Sequence, residues 1–401
     1  MEIMNKIIIF TLLFTGALTM TFTNSFATAG ALSTVPIIDR IKLSPQYRNG
    51  KFKGDKKALT MTFKDYISST WRFIFEKNNQ TPDGPLPSRP VDLSYFNTAG
   101  KDQLNSTWLG HSSLMINMNG YKILTDPVFE KKISMVGPTR FNGNLPLNPE
   151  KLIDIDVVII SHDHYDHLNK YSIKLLIPVT KRFIVPLAIG KRLVSWGVPE
   201  NKVIALDWWE DFLFDDHLSI TATPAQHFSG RGIFDRNETL WASWAIKSKN
   251  FNIFYSGDSG YCNGFKKIGK KLGPFDMTFI ECGAYDELWR PVHMFPEETA
   301  QAHIDLKGNI LHPIHWGTFN LALHPWNDPM QRLIKEANLY NIPVATPICG
   351  QTILYRKEGE YNKKDQYSID GQYGINGLGS HWWKNSSAHQ KITQNILEIN
   401  K

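Results

Sequence analysis

The chain is poor in cysteine. Cys262, Cys282 and Cys349 are all it has in 401 residues, too few and too widely spaced for a disulfide framework or a zinc knuckle. Runs of basic residues are missing too. Lysines and arginines number 44 against 38 aspartates and glutamates, a net charge of +6. The cations are scattered, which argues against nucleic acid as a partner, although a mildly basic surface tolerates anionic lipid or phosphate. Beyond the N-terminus no apolar run reaches the roughly 20 residues of a membrane span, which excludes a polytopic membrane protein. No internal repeat is visible. What remains is 42% hydrophobic and 12% aromatic, too apolar for disorder and long enough to bury the core of one large α/β domain or two modest ones.

The ends differ from the middle. Lys6 precedes an apolar run from Ile7 to Leu18, and Ser25-Phe26-Ala27 and Ala27-Thr28-Ala29 both fit a small-x-small cleavage site. Residues 1–29 are therefore expected to be a secretory signal, and the protein secreted or periplasmic. An uncleaved anchor is the alternative, and no cysteine lies near the run for a lipid anchor. Few cysteines in an exported chain lean towards a bacterial envelope. Residues 30–104 are taken as an N-terminal extension, 105–355 as the main domain and 356–401 as a polar tail rich in Gly, Asn and Lys, with no assigned role. Residues 78–90 form a loop after a helical Tyr66–Glu76.

Strand signals dominate the main domain. Leu114, Ile116 and Met118 alternate with polar residues up to Asn119-Gly120, and Tyr121, Ile123 and Leu124 resume after it, which predicts a hairpin. Strands are expected at 157–160, 183–185, 203–206, 218–221, 241–246, 253–255, 277–280 and 310–314, and helices at 187–196, 296–305 and 329–340. Asp328-Pro329 is expected to cap the last helix. Many strands with a few helices between them suggest sheets with helices packed outside.

The chemistry is concentrated in Ser161-His162-Asp163-His164-Tyr165-Asp166-His167, directly after an apolar strand. Strand-end loops commonly carry sites. His162, His164, Asp166 and His167 offer imidazoles and a carboxylate, a donor set suited to zinc. Four ligands do not complete two metal positions. Three further candidates stand at strand ends: His227, Asp258 in Ser256-Gly257-Asp258-Ser259-Gly260, and His315 in Pro313-Ile314-His315-Trp316-Gly317.

The order H-x-H-x-D-H, then His, Asp and His resembles the metallo-β-lactamase superfamily. Thr107-Trp108-Leu109-Gly110-His111, Leu206-Asp207-Trp208-Trp209-Glu210, Thr239-Leu240-Trp241-Ala242-Ser243-Trp244, Gly257-Asp258-Ser259-Gly260-Tyr261-Cys262 and His315-Trp316-Gly317-Thr318-Phe319 narrow the resemblance. They are similar to N-acyl-phosphatidylethanolamine-hydrolysing phospholipase D and its bacterial relatives, over roughly residues 60–350. The resemblance implies an αβ/βα sandwich of two mixed sheets with helices outside, and two zinc ions. It implies one zinc on His162, His164 and His227, the second on Asp166, His167 and His315, and Asp258 bridging both. Paired cations lower the pKa of a shared water and stabilise charge on a phosphoryl oxygen. The implied activity is phospholipase D-type cleavage of a phospholipid headgroup phosphodiester by metal-activated water. Asp166 and His293 are the implied catalytic side chains, His293 as proton donor or phosphate partner.

His111 is expected beside the metals or in the core. Arg231 and Arg236 lie in a basic loop able to grip phosphate or pair with carboxylates. Trp208, Trp209, Phe212 and Phe214 are expected mostly in the core, with an acyl groove or membrane interface as the alternative. Peripheral membrane contact and a homodimer complete the implied partners. A metal-dependent lactonase or other esterase is the main alternative activity. A non-catalytic zinc- or lipid-binding envelope protein is disfavoured because structural zinc normally closes with four ligands.

Overall fold

The computed structural model describes residues 37–54, 63–355, 367–369, 372–373 and 381–384, less residues 77, 99, 101, 136 and 233. The signal-like segment 1–29 lies outside the described residues. The first described element is a helix, Ile37–Leu43, followed by a small hairpin of β1 (Tyr47–Arg48) and β2 (Lys51–Phe52). Phe52 is buried in the main core, so this hairpin of the extension is packed onto the domain.

β3 (Leu104–Trp108), β4 (Leu114–Met118) and β5 (Tyr121–Thr125) form an antiparallel meander. Asn119 and Gly120 both have positive φ, 55° and 90°, as a tight hairpin turn with the twist of its strands requires. β6 (Ile155–Ile159), β7 (Thr180–Pro186) and β8 (Val203–Leu206) continue the sheet in parallel. All of β6 is buried, which accounts for its nearly unbroken apolar sequence.

β9 (Asp211–Asp215), β10 (Leu218–Thr223), β11 (Ser243–Lys247) and β12 (Asn252–Tyr255) then form an antiparallel run in a second sheet. β13 (Phe275–Glu281) and β14 (Gly308–Ile314) extend that run in parallel. β15 (Thr352–Tyr355) returns to the first sheet beside β3, and β16 (Tyr367–Ile369) and β17 (Gln372–Tyr373) follow it.

The two sheets face each other across one apolar core. Ser106 on β3 meets Met277 on β13, and the Tyr355 hydroxyl on β15 donates to Asp276 on β13 at 3.2 Å. Helices Lys170–Leu176 and Gly190–Ser195 follow the parallel strands of the first sheet. Gly264–Lys271, Pro296–Leu306 and Asp328–Leu339 belong to the second half. This is the layered α/β sandwich expected.

Three details differ from the sequence reading. The helix expected over 187–196 is confined to Gly190–Ser195, because Pro186 ends β7 and Ala188 takes a φ of +72°. The strand expected from Trp241 begins at Ser243. There the Trp241 and Trp208 side chains occupy the core, with Trp208 Nε1 donating to the Trp241 carbonyl at 2.7 Å. Asp328 does not cap its helix but accepts the Tyr285 hydroxyl, and Asn327 holds the cap position. In the tail, whose order the sequence leaves open, β16 and β17 widen the first sheet and Trp382 and Trp383 are buried.

Candidate metal centre

The carboxyl ends of strands from both sheets converge on one point. β6 leads into the His162–His167 loop, β10 towards His227, β12 towards Asp258 and β14 into His315. Two close approaches depend on glycine, one between the layers and one within the second sheet. Gly257 has a φ of +55°, and a Cβ there would sit 2.4 Å from the Ser161 Cβ. A Cβ on Gly283 would sit 2.2 Å from the His315 carbonyl oxygen. His111, Asp126 and His315 adopt positive φ despite their side chains, at 55°, 35° and 63°, the kind of strained backbone that clusters at functional sites.

His162, His164, His227 and Asp258 form one group able to hold a cation. His162 Nε2 lies 2.7 Å from His164 Nδ1, and His227 Nε2 lies 3.2 Å from the same atom. Asp258 Oδ2 completes the group, 3.8 Å from His162 Nε2 and 3.7 Å from His227 Nε2. Asp166, His167 and His315 form a second group, which His111 joins. Its atoms are Asp166 Oδ2, 3.4 Å from His167 Nε2 and 3.5 Å from His315 Nε2. Asp258 Oδ2 lies 3.1 Å from each of those imidazole nitrogens, so one oxygen serves both groups.

A tetrahedral shell with bonds of about 2.0–2.1 Å has edges of roughly 3.3 Å, and the observed spacings bracket that value. Further support is the number of unpaired atoms. His167 Nε2, His315 Nε2 and Asp258 Oδ1 are buried without hydrogen-bond partners, which is costly unless something else binds them. The donor set and its geometry therefore fit metal.

Outer contacts fix the rings. His227 Nδ1–H donates to the Val292 carbonyl at 2.9 Å, His162 Nδ1–H to Ser161 Oγ at 2.9 Å and His167 Nδ1–H to Asp126 Oδ2 at 2.6 Å. Each bond turns Nε2 inward, the usual supporting arrangement for metal-binding imidazoles. Asp126 also accepts the Ser161 backbone N–H and the Tyr255 hydroxyl. It thereby ties β12 of one sheet to the loops of the other. His111 Nε2–H donates to Asp166 Oδ2 at 2.8 Å, while its backbone N–H binds Thr318 Oγ1.

The two groups differ in charge. Burial lowers His162 and His227 well below the ordinary histidine value, and takes His164 down to about 4 and His111 to about 3. Burial also opposes charge on His167 and His315. There the neighbouring carboxylates, Asp258 foremost, prevail, raising His167 well above the ordinary value and His315 to about 10.

His293 lies beside the cluster, its ring 5.1 Å from that of His227 and 5.2 Å from that of His315. The arginines are placed differently. Arg231 is buried, donates to the carbonyls of Asp163 and Leu168 at 2.7 Å each, and stacks on Tyr165. Its guanidinium holds the ligand loop, the supporting alternative of the two roles read for it. Arg236 lies 4.3 Å over the Phe228 ring, which in turn packs against His164 and His227. Trp208 and Phe212 are core residues. Sequence reasoning missed Asp126 and Glu281. Both are acids at the carboxyl end of an apolar strand, the position that should have marked them.

Residues 121–316 match the beta-lactamase superfamily domain. An uncharacterized protein of Mycobacterium tuberculosis is 39% identical over 319 residues, covering 77% of this chain and 84% of that protein. N-acyl-phosphatidylethanolamine-hydrolyzing phospholipase D 1 of Caenorhabditis elegans is 32% identical over 310 residues, covering 72% of this chain and 86% of that protein. Among solved structures, the isothiocyanate hydrolase from Delia radicum gut bacteria shares the fold. Its TM-score is 0.50 at 20% identity, over 62% of this chain and 97% of that one. With a shared fold, a clustered ligand set and relatives matched over most of their length, the chain belongs to the metallo-β-lactamase superfamily of metal-dependent hydrolases, as a member resembling N-acyl-phosphatidylethanolamine-hydrolysing phospholipase D.

Proposed function

We propose that the chain is a dizinc phosphodiesterase that removes the headgroup alcohol from a membrane phospholipid, and that it works in a bacterial envelope. The observation that carries the reading is the single Asp258 oxygen shared by two groups of ligands, each with three further donors of its own. Zinc bound there would supply an activated water and positive charge against the phosphoryl oxygens. His162, His164 and His227 would hold one ion, and Asp166, His167 and His315 the other. His111 orients the Asp166 carboxylate, and Asp126 orients His167.

A lipid substrate is supported by the relative's activity and by one surface feature. Helix Phe63–Phe75 exposes Ile67, Trp71 and Phe75 at four-residue spacing, each more than half accessible, so they form one apolar stripe. On its inner side Phe73 packs with Trp289 and Val292, and the Val292 carbonyl is the one that holds His227. The helix thus packs close to the site through Phe73, with its exposed stripe turned outward, as contact with a lipid surface would require. Arg236, half-buried over Phe228, would be the cation to meet the substrate's phosphate.

The test is zinc-loaded protein offered vesicles of N-acylated and of ordinary phosphatidylethanolamine. Release of the N-acylethanolamine or ethanolamine with formation of phosphatidate is expected. Turnover of a lactone but of no phosphodiester would overturn the reading.

Metal uptake should show the charge asymmetry. The first group offers free lone pairs at neutral pH, whereas a cation entering the second group displaces protons from His167 and His315. Affinity for the second ion is therefore expected to fall as pH falls below about 10, by about tenfold per pH unit for each proton displaced. The first should hold until near pH 4, where His164 titrates. Calorimetric titration in buffers of different ionisation enthalpy should find proton release in one of the two binding events only.

A further inference from the structure

The end of β13 carries a buried acid that no metal-binding reading uses. Glu281 is fully buried, the last residue of β13. Three donors meet its carboxylate. Ser259 N–H and Met294 N–H bind Oε1 at 3.2 and 2.9 Å, and His293 Nδ1–H binds Oε2 at 2.8 Å. Burial pushes the Glu281 carboxyl up from its ordinary value while His293 pulls the other way. His293 is partly exposed, and one of its ring nitrogens lies within 4.8 Å of ligand atoms of Asp258 and His315.

We propose that Glu281 and His293 form a carboxylate–imidazole pair. Glu281 is a positioning residue that fixes the His293 tautomer, and His293 moves the proton for the leaving alcohol. The inference rests on the phosphodiesterase reading for its substrate but not for its geometry. Because both backbone donors occupy Oε1, only Oε2 faces the ring, and it can only accept. Nδ1 must then carry hydrogen, and Nε2 is left to exchange a proton with the reaction. When the water oxygen bonds to phosphorus, the phosphorus–headgroup oxygen bond breaks. Nε2, free in that tautomer, takes the proton lost by the attacking water and passes it to the leaving alkoxide.

The pair makes a particular demand on substitution. Glu281→Gln is isosteric, but its one carbonyl oxygen is claimed by the two backbone donors. The amide NH₂ then faces His293 Nδ1 and forces the opposite tautomer. Two measurements test this. ¹⁵N shifts of labelled histidine, assigned by His293→Ala, should show His293 as the Nδ1–H form in the unaltered protein and the Nε2–H form in Glu281→Gln. This readout needs no substrate, so it stands even if no phospholipid is turned over.

The second measurement compares leaving groups in the zinc-loaded protein. For an alkyl phosphodiester, kcat should fall about 100-fold in Glu281→Gln, the lower range for lost acid–base assistance, with KM little changed. For a p-nitrophenyl diester, whose leaving group needs no proton, the fall should stay under about tenfold. The double variant with His293→Ala should be no worse than His293→Ala alone. An unchanged tautomer, or equal losses on both substrates with metal content intact, would overturn the pair and leave Glu281 a structural acid.

Discussion

Asp258→Asn is expected to abolish measurable turnover, a fall on the order of 10³ or more in kcat, the scale of losing a key electrostatic group. One oxygen of this buried carboxylate lies 3.1–3.8 Å from four imidazole nitrogens drawn from both sheets. No neighbouring acid can replace it, since Asp166 reaches only the second group and Asp126 is occupied by Ser161, His167 and Tyr255. Asparagine keeps the shape but brings a neutral amide, so the charges of His167 and His315 lose their main counter-ion. Elemental analysis should find less bound zinc, with far-ultraviolet circular dichroism unchanged. Full zinc content with full activity would remove the shared-oxygen arrangement from consideration.

Trp382→Ala should cost about 3–5 kcal/mol, the range for truncating a large buried aromatic, although it lies in a segment that looks like a polar appendage. Trp382 stacks on Trp316 at 5.0 Å and on Trp326 at 6.4 Å, and Trp316 stacks on Trp108 at 5.7 Å. Trp316 follows His315 directly, and Trp108 Nε1 donates to the His111 carbonyl, which also accepts the His315 N–H. Emptying the Trp382 site therefore opens a void one residue from a ligand. The melting midpoint should drop by roughly 5 °C, and zinc should be lost from the His315 group first. Scanning calorimetry with zinc-release titration checks both. An unchanged midpoint would show that the tail is dispensable.

These two residues also mark how far the sequence could be read. Asp258 was legible because a ligand needs a particular chemistry, and a Gly-Asp-Ser-Gly turn after an apolar strand shows it without reference to anything distant. Trp382 was not, because its role depends on aromatic partners far along the chain, and the polar residues around it describe only the solvent side. Glu281 and Asp126 failed for a related reason. Their meaning lies in which donors meet the carboxylate, and those belong to Met294, Ser259, Ser161, His167 and Tyr255. For Arg231 the sequence left two roles open, because a cation beside a site can serve backbone carbonyls as readily as phosphate, and only its burial and its contacts with Asp163 and Leu168 show the first. The parallel strands, buried on both faces, announced themselves as apolar runs.

The ligand loops come from opposite layers of the sandwich: positions 162–167 from one sheet, and 227, 258 and 315 from the other. Bound cations would therefore rivet the halves together. Prying the layers apart would demand release of the ions, so the protein's lifetime against heat or protease would track free zinc through mass action. A chelator would act on the whole architecture and not on catalysis alone.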